Sequence, residues 1–216
     1  MRNGLVLILW SFLLPAVLAG CSGEPFAADA EKGDVAAQYT VADKYKKGDG
    51  VDQDYAQAMA WYKKAAEQGS TGAQNNIGVM YERGEGVSKD YVEAYHWFKR
   101  AAEMGNVEAQ HNAGDLYRRG HGVPQDYTKA VHWYTQAALQ GDVDAQNILS
   151  EIYYEGQGIT QDYKQAYIWA DLAATNNLKE AIKRRDRAAG ILSKQDLLAA
   201  QKESSAIFEK IKGLKQ

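Results

Sequence analysis

Seven residues, Gly84-Glu85-Gly86-Val87-Ser88-Lys89-Asp90, form the stretch most open to a chemical reading. A glycine pair ahead of a helix can bring backbone N–H groups against a phosphate. Such a loop needs one special copy with a lysine reaching back to the anion. No glycine loop ending in Gly-Lys-Ser or Gly-Lys-Thr occurs, and the same turn recurs at 48–50, 120–122 and 156–158. Gly-x-Ser-x-Gly and His-Glu-x-x-His are also absent. His96 and His132 share one offset in a repeat and lie too far apart along the chain's architecture to meet on one metal, and His111 and His121 add no ligand spacing. Asp49, Asp52 and Asp54 cluster, yet the alternation and closing glutamate of a calcium loop are missing. Nothing singles out one carboxylate pair for acid–base work. The residues predict no catalytic site, no metal site and no cofactor.

The elements that hold these residues come from the rest of the chain. Its 216 residues are 45% hydrophobic and 25% charged, an ordinary globular balance, and Ala, Gln, Lys, Glu and Tyr lean it towards helix. A formal charge of −3 gives no footing for nucleic acid. Cys21 is the only cysteine, which rules out an intrachain disulfide and a cysteine-based metal cluster. Met1-Arg2-Asn3 begins a positive start, and Gly4 to Leu18 is an apolar run interrupted by Pro15. That run is too short for a comfortable membrane span and reads as a secretory signal peptide over 1–20. Leu18-Ala19-Gly20-Cys21 resembles the lipobox of bacterial lipoproteins. The resemblance implies that Cys21 becomes an acylated first residue and anchors the chain to the bacterial envelope, facing the periplasm. Ser22, rather than Asp, favours the outer membrane by the same analogy.

A unit of 36 residues then repeats four times without a gap, over 33–68, 69–104, 105–140 and 141–176. Each carries Ala-Gln near its start, a tyrosine eight residues after that alanine (Tyr45, Tyr81, Tyr117, Tyr153), Gly-x-Gly, Asp-Tyr, one tryptophan (61, 97, 133, 169) and a closing Ala-Ala. Two helices per unit follow. Ala37, Val41 and Tyr45 make an i, i+4, i+8 stripe on the first; Ala58, Trp61, Tyr62 and Ala65 line the second. Asp54, Asp90, Asp126 and Asp162 stand where N-caps belong, with Gln57, Glu93 and Gln165 in capping-box position; Lys129 breaks that box in the third unit. One tryptophan per unit is expected to fill the gap between neighbouring helices.

The pattern closely resembles the Sel1-like repeat family, most fully in the second unit: Ala73-Gln74, Gly78, Tyr81, Gly84-Glu85-Gly86-Val87, Asp90-Tyr91, Ala94, Trp97 and Ala101-Ala102. Ala42 and Ser150 replace the small glycine, and Ala170 replaces the aromatic after Trp169. The resemblance implies an all-α fold: a right-handed α/α solenoid of four helix pairs, related to tetratricopeptide arrays, whose usual role is protein–protein interaction. Residues 21–32 then serve as lipidated linker and N-terminal half-helix cap, with Phe26 where Tyr62 and Phe98 stand. Residues 177–216 form a C-terminal cap of two helices, the later opening near Ser193.

Opposite the first-helix stripe lie three positions per unit: Tyr39, Asp43 and Lys46; Asn75, Val79 and Glu82; His111, Asp115 and Arg118; Asn147, Glu151 and Tyr154. They vary while the stripe does not, so they are the expected partner-binding residues on a concave face. The resulting expectation is a non-catalytic scaffold or regulator of an envelope assembly, with a second protein as its partner, lipid on Cys21 as its membrane contact, and no nucleic acid. An immunity protein against a toxic periplasmic effector would use the same face. A cell-wall-active enzyme would need a carboxylate pair that the sequence does not single out.

Overall fold

The computed structural model describes residues 27–214; the signal segment, Cys21 and Phe26 lie outside them. Among the described residues the elements are all helices: α1 (Ala28–Glu31), α2 (Val35–Lys47), α3 (Tyr55–Glu67), α4 (Thr71–Arg83), α5 (Tyr91–Glu103), α6 (Val107–Arg119), α7 (Tyr127–Leu139), α8 (Val143–Glu155), α9 (Tyr163–Ala174), α10 (Lys179–Ile191) and α11 (Lys194–Gly213). Each first helix packs on its own second helix, α2 on α3, α4 on α5, α6 on α7 and α8 on α9, and each second helix packs on the next first one. The solenoid closes with α10 against α9 and α8, and with α11 against α9.

Helix ends are set by the same chemistry in every unit. Asp34, Ser70, Asn106 and Asp142 cap the first helices, each accepting a backbone N–H three residues on; Asp54, Asp90, Asp126 and Asp162 do so for the second helices. Gly84 ends α4 in the left-handed region at φ +74°, where a side chain is strained. Gly86 allows a close approach instead: a Cβ there would stand 2.6 Å from Cβ of Tyr55, at the start of the preceding second helix. The Gly-x-Gly turn is therefore a packing joint between units. Ser193 caps α11 where the sequence placed it, accepting from Asp196 N–H at 3.1 Å.

The Ala-Gln signature locks consecutive pairs together. Gln38, Gln74, Gln110 and Gln146 each donate their side-chain amide to a carbonyl at the end of the preceding helix, Ala30, Ala66, Ala102 and Ala138, at 3.0–3.2 Å. Gln68 and Gln140 then donate to the side-chain oxygens of Gln38 and Gln110, both at 2.8 Å. Met104 holds the corresponding place in the second unit, and the Gln74 side-chain oxygen is buried without a partner.

The gap between paired helices is filled by a different ring from the expected one. Tyr62, Phe98 and Tyr134, one residue after each tryptophan, have no exposed surface. Trp61 and Trp169 are buried, but Trp97 and Trp133 are only half-buried. The tryptophans sit on the flank of the second helix, and Lys64 and Arg100 lie over Trp61 and Trp97 at 3.7 and 5.9 Å. The following ring faces the first helix directly. A Cβ added to Gly78 would come within 2.6 Å of Phe98, and one added to Gly114 within 2.9 Å of Tyr134. The small residue of the repeat is a seat for that ring.

Candidate functional site

A cleft of about 360 Å³ runs across successive first helices. Its walls are Lys46 from α2; Asn75, Asn76, Val79 and Arg83 from α4; Glu108, His111 and Asn112 from α6; and Asp142 with Asp144 at the start of α8. A wider cleft of about 590 Å³ lies on the second-helix side, beside Trp133, Leu139 and Leu214. Two of its wall amides, Gln110 and Gln140, are already committed to each other. The first-helix groove presents residues from four units at once and is the better candidate for recognition.

Its wall residues form a polar ladder between neighbouring first helices. Asn76 donates to the Tyr39 hydroxyl at 3.0 Å, Asn112 to the Asn75 side-chain oxygen at 3.0 Å, and Arg184 of α10 to that of Asn147 at 2.9 Å. Every rung joins a residue to the one 37 positions later. Asn75 also donates to Glu108 at 3.0 Å, and Lys46 to Asn76 at 3.3 Å. The rung from His111 would reach Ile148, which has no polar atom. His111 Nδ1 lies instead 3.3 Å from Asp142, the N-cap of α8.

A second set of contacts ties the groove floor to the core. Tyr62 donates to Asp43 at 3.3 Å. Tyr134 donates a short hydrogen bond to Asp115, and Arg118 donates to both the Tyr134 hydroxyl and Asp115 at 3.1 Å. Where the ring is Phe98, the first-helix position holds Val79, and the polar couple becomes an apolar one. Where the ring is missing, at Ala170, Ser150 and Glu151 are met by Arg184, at 2.7 and 3.5 Å.

These contacts set the charge states. Burial pushes the Asp115 carboxyl up, but Tyr134, Arg118 and Arg119 outweigh it and hold the group below its ordinary range. Burial pushes His111 down, while the Asp142 hydrogen bond and charge, with Asp115 and Asp144, bring it above its ordinary value. Burial lowers Lys46, aided by Arg83 and Lys47 and opposed by Glu85 and Asp43. The groove thus carries mixed, preorganised charge. Among the described residues no cluster of three or more His, Cys, Asp or Glu could hold a metal ion, and no helix is long and apolar enough to cross a membrane.

Of the twelve anticipated contact residues, the structure gathers Lys46, Asn75, Val79 and His111 in the groove. Tyr39, Asp43, Glu82, Asp115, Arg118, Asn147 and Tyr154 are partly buried rather than open, Asn75 is 3% exposed, and Glu151 alone is exposed. Most of these residues are half-covered because they reach neighbouring helices, as Asn75 reaches Glu108 and Tyr39 meets Asn76. The packed face is centred between Ala-Gln and the residues four further on, such as Ala73, Gln74, Ile77 and Gly78. One residue after the anticipated positions, Met80, Leu116 and Ile152 are buried, and Asn76, Asn112 and Ile148 are half-buried. The open first-helix positions near the groove are Thr40 and Lys47, Arg83, Arg119, and Glu151 with Glu155. The glutamine of Ala-Gln, as constant as the alanine beside it, was the signal that could have placed the packed face.

The fold's relatives agree with this architecture. The Sel1 repeat profile matches residues 35–70, 71–106, 107–142 and 143–178, the same period entered two residues later. The crystal structure of c5321, described as a protective antigen present in uropathogenic Escherichia coli strains and displaying an SLR fold, is 38% identical with a TM-score of 0.75. It is covered over 43% of its length by 90% of this chain, so the chain spans less than half of that protein. A Sel1 repeat protein from Oxalobacter formigenes is 36% identical with a TM-score of 0.70, over 81% of this chain and 74% of that one. No curated protein sequence matches the chain. Four contiguous copies of the repeat, together with the helix pairs they encode, establish that the chain belongs to the Sel1 repeat family.

Proposed function

We propose that this protein is a non-catalytic binding module of the bacterial envelope, tethered through lipid on Cys21 and facing the periplasm. In this reading it serves as scaffold or regulator of an envelope assembly. Sel1 repeat proteins are protein-interaction modules, and the first-helix groove is the surface on which this one takes its partner. The observation that carries the reading is the division of labour within each unit. Caps, the Ala-Gln contacts and the packed face recur, while equivalent first-helix positions vary: His111 stands where other units have Tyr39, Asn75 and Asn147, and Val79 where they have Asp43, Asp115 and Glu151. A frame held constant under a varied polar surface suits recognition of one extended partner segment across several units. The tether is supported by the apolar run and Leu18-Ala19-Gly20-Cys21 and by the durability of anchoring with more than one acyl chain.

Crosslinked capture from envelope preparations tests the groove. Arg83→Glu combined with Asp144→Lys alters exposed groove charges without touching a cap or a ring seat. The captured partner should be lost while the melting temperature stays within a few degrees. Unchanged capture would move the binding surface elsewhere. Cys21→Ala tests the tether: loss of acyl labelling on the chain is expected, and retained labelling would refute acylation at that residue.

A further inference from the structure

The row of second helices carries a surface that the groove does not explain. Among the described residues six large apolar side chains stand exposed, and Ile191, Leu198, Phe208 and Leu214 belong to the C-terminal cap. Helix α11 packs inward through Ala200, Ser204 and Ile211, helped by Ser204 donating to Asp171 at 2.8 Å and by Lys164 pairing with Glu203 at 2.9 Å. Its packed face is therefore occupied, while Leu198 and Phe208 remain 69% and 40% exposed.

Helical spacing arranges the exposed residues. Lys194, Leu198, Gln201, Ser205, Phe208 and Lys212 fall at i, i+4, i+7, i+11, i+14 and i+18, one stripe along α11, and all six are exposed. At 1.5 Å per residue the two apolar side chains stand about 15 Å apart, with lysines bracketing them across about 27 Å. Lys194, Lys202, Lys210 and Lys212 form no ion pair with any described residue; Glu209 is the one carboxylate bordering the stripe. The tail from 177 to 216 has ten Lys/Arg against five Asp/Glu, whereas the whole chain is net −3. The positive charge is concentrated where the apolar side chains protrude.

From this we infer that the exposed stripe of α11 rests on an anionic lipid surface, with Leu198 and Phe208 entering the headgroup boundary and the lysines meeting lipid phosphates. The cleft beside α11 takes Lys210 and Leu214 but neither Leu198 nor Phe208, so the stripe protrudes without the concave walls that a protein-docking anchor needs. Apolar side chains bracketed by lysines match a charged, deformable interface. The consequence is an orientation. Helix α11 lies against α9, with Lys210 and Leu214 beside the α7 residues Trp133 and Gln136, all on the second-helix side. Seating α11 on lipid turns the first-helix groove away from the membrane towards a partner. The inference extends the tethered reading, since a lipid chain and a basic surface are separate signals that reinforce each other.

An environment-sensitive fluorescent amino acid in place of Ser205, in the full chain, reports directly on the stripe. The chain is mixed with phosphatidylcholine vesicles and with vesicles of two parts phosphatidylcholine to one part phosphatidylglycerol, and flotation is read alongside emission. A blue shift is expected on the anionic vesicles alone, reversed by high salt. Leu198→Ser with Phe208→Ser should remove the shift, and Lys194→Gln or Lys212→Gln should each weaken it about fivefold in lipid concentration. Emission unchanged while the chain floats would overturn the α11 contact and leave the tether standing. A chain that does not float with either vesicle would overturn both. A shift produced by polyglutamate and not by vesicles would assign the stripe to an acidic protein and overturn the lipid inference.

Discussion

The second and third units are built on the same plan and solve it with opposite chemistry. In the third, Tyr134, Asp115 and Arg118 form a polar couple through the groove floor, and Gln140 completes the Gln110 lock. In the second, Phe98 packs with Val79, and Met104 leaves the Gln74 oxygen unanswered. Helix lengths are unchanged between them, and every N-cap accepts the N–H three residues on, Ser70 and Asn106 for the first helices and Asp90 and Asp126 for the second. The repeat therefore specifies couples of residues rather than residues. Asp115, which looks like a recognition residue from the sequence, is half of a structural pair, whereas at the same groove Arg83 meets Glu85 of its own turn, at 3.6 Å, and Asp144 is exposed.

The comparison breaks most visibly at Asp115. Asp115→Ala leaves a buried tyrosine hydroxyl and two arginines without their acceptor, and should lower stability by about 3 kcal/mol. Asp115→Val with Tyr134→Phe rebuilds the couple of the second unit and should recover more than half of that loss. Chemical denaturation of the single and double variants measures the coupling. A double variant no more stable than Asp115→Ala would show that the two positions do not act as a pair.

Next in size is the ring seat. Gly78→Ala drives a methyl to 2.6 Å from Phe98 and should cost about 2 kcal/mol by overpacking. Gly114→Ala, with 2.9 Å to Tyr134, should cost less. The first unit already seats Tyr62 against Ala42, so a methyl can be accommodated where the ring has shifted to suit it. Equal losses at both glycines, read from thermal melts, would mean that ring identity does not tune the seat.

A smaller and opposite effect is expected at the unfinished lock. Met104→Gln should give the Gln74 oxygen the donor that Gln68 and Gln140 supply elsewhere, adding about 1 kcal/mol. Gln140→Met should remove a similar amount from the third unit. If Met104→Gln leaves the melting temperature unchanged, the lone oxygen in the second unit is satisfied by other means.

Much of the fold was legible because each signal occurs four times. Asp-Tyr placed the second-helix starts, and Gly84 and its equivalents the first-helix ends, since caps depend on local chemistry that a sequence displays openly. The site was harder to read. The stripe through Ala37, Val41 and Tyr45 marks the packed face, but it cannot show that residues away from it, such as Asn75 and Asp115, are tied up by neighbouring side chains. The gap-filling ring was misplaced for a related reason: tryptophan is larger, but Phe98 and Tyr134 point at the glycine seats. The couples were within reach, because Tyr62 and Tyr134 accompany Asp43 and Asp115 while Phe98 accompanies Val79.

The least change separates the third rung of the groove ladder from the others, and pH isolates it. His111 replaces a rung with an ion pair to Asp142, at 3.3 Å, with Asp115 and Asp144 adding negative charge and Arg118 and the Tyr134 ring nearby. The folded-state value of His111 is raised, so its contribution is fully present below the ordinary histidine pKa and fades as pH rises through the raised one. Asp142 is lowered, with burial opposing and His111 and the α8 backbone prevailing; its contribution is present above the ordinary carboxylate value and is lost as pH falls through the lowered one. The junction of α6 and α8 is thus firmest between those limits. His111→Asn, the residue that units two and four carry at this position, should flatten the histidine limb of the stability–pH curve, a change on the order of 0.5–1 kcal/mol. Hydrogen exchange at the α8 N-terminus localises it: protection there should fall on raising pH in the parent chain and stay level in the variant. A parallel fall in both would show that the ladder, not the ion pair, holds the two helices together.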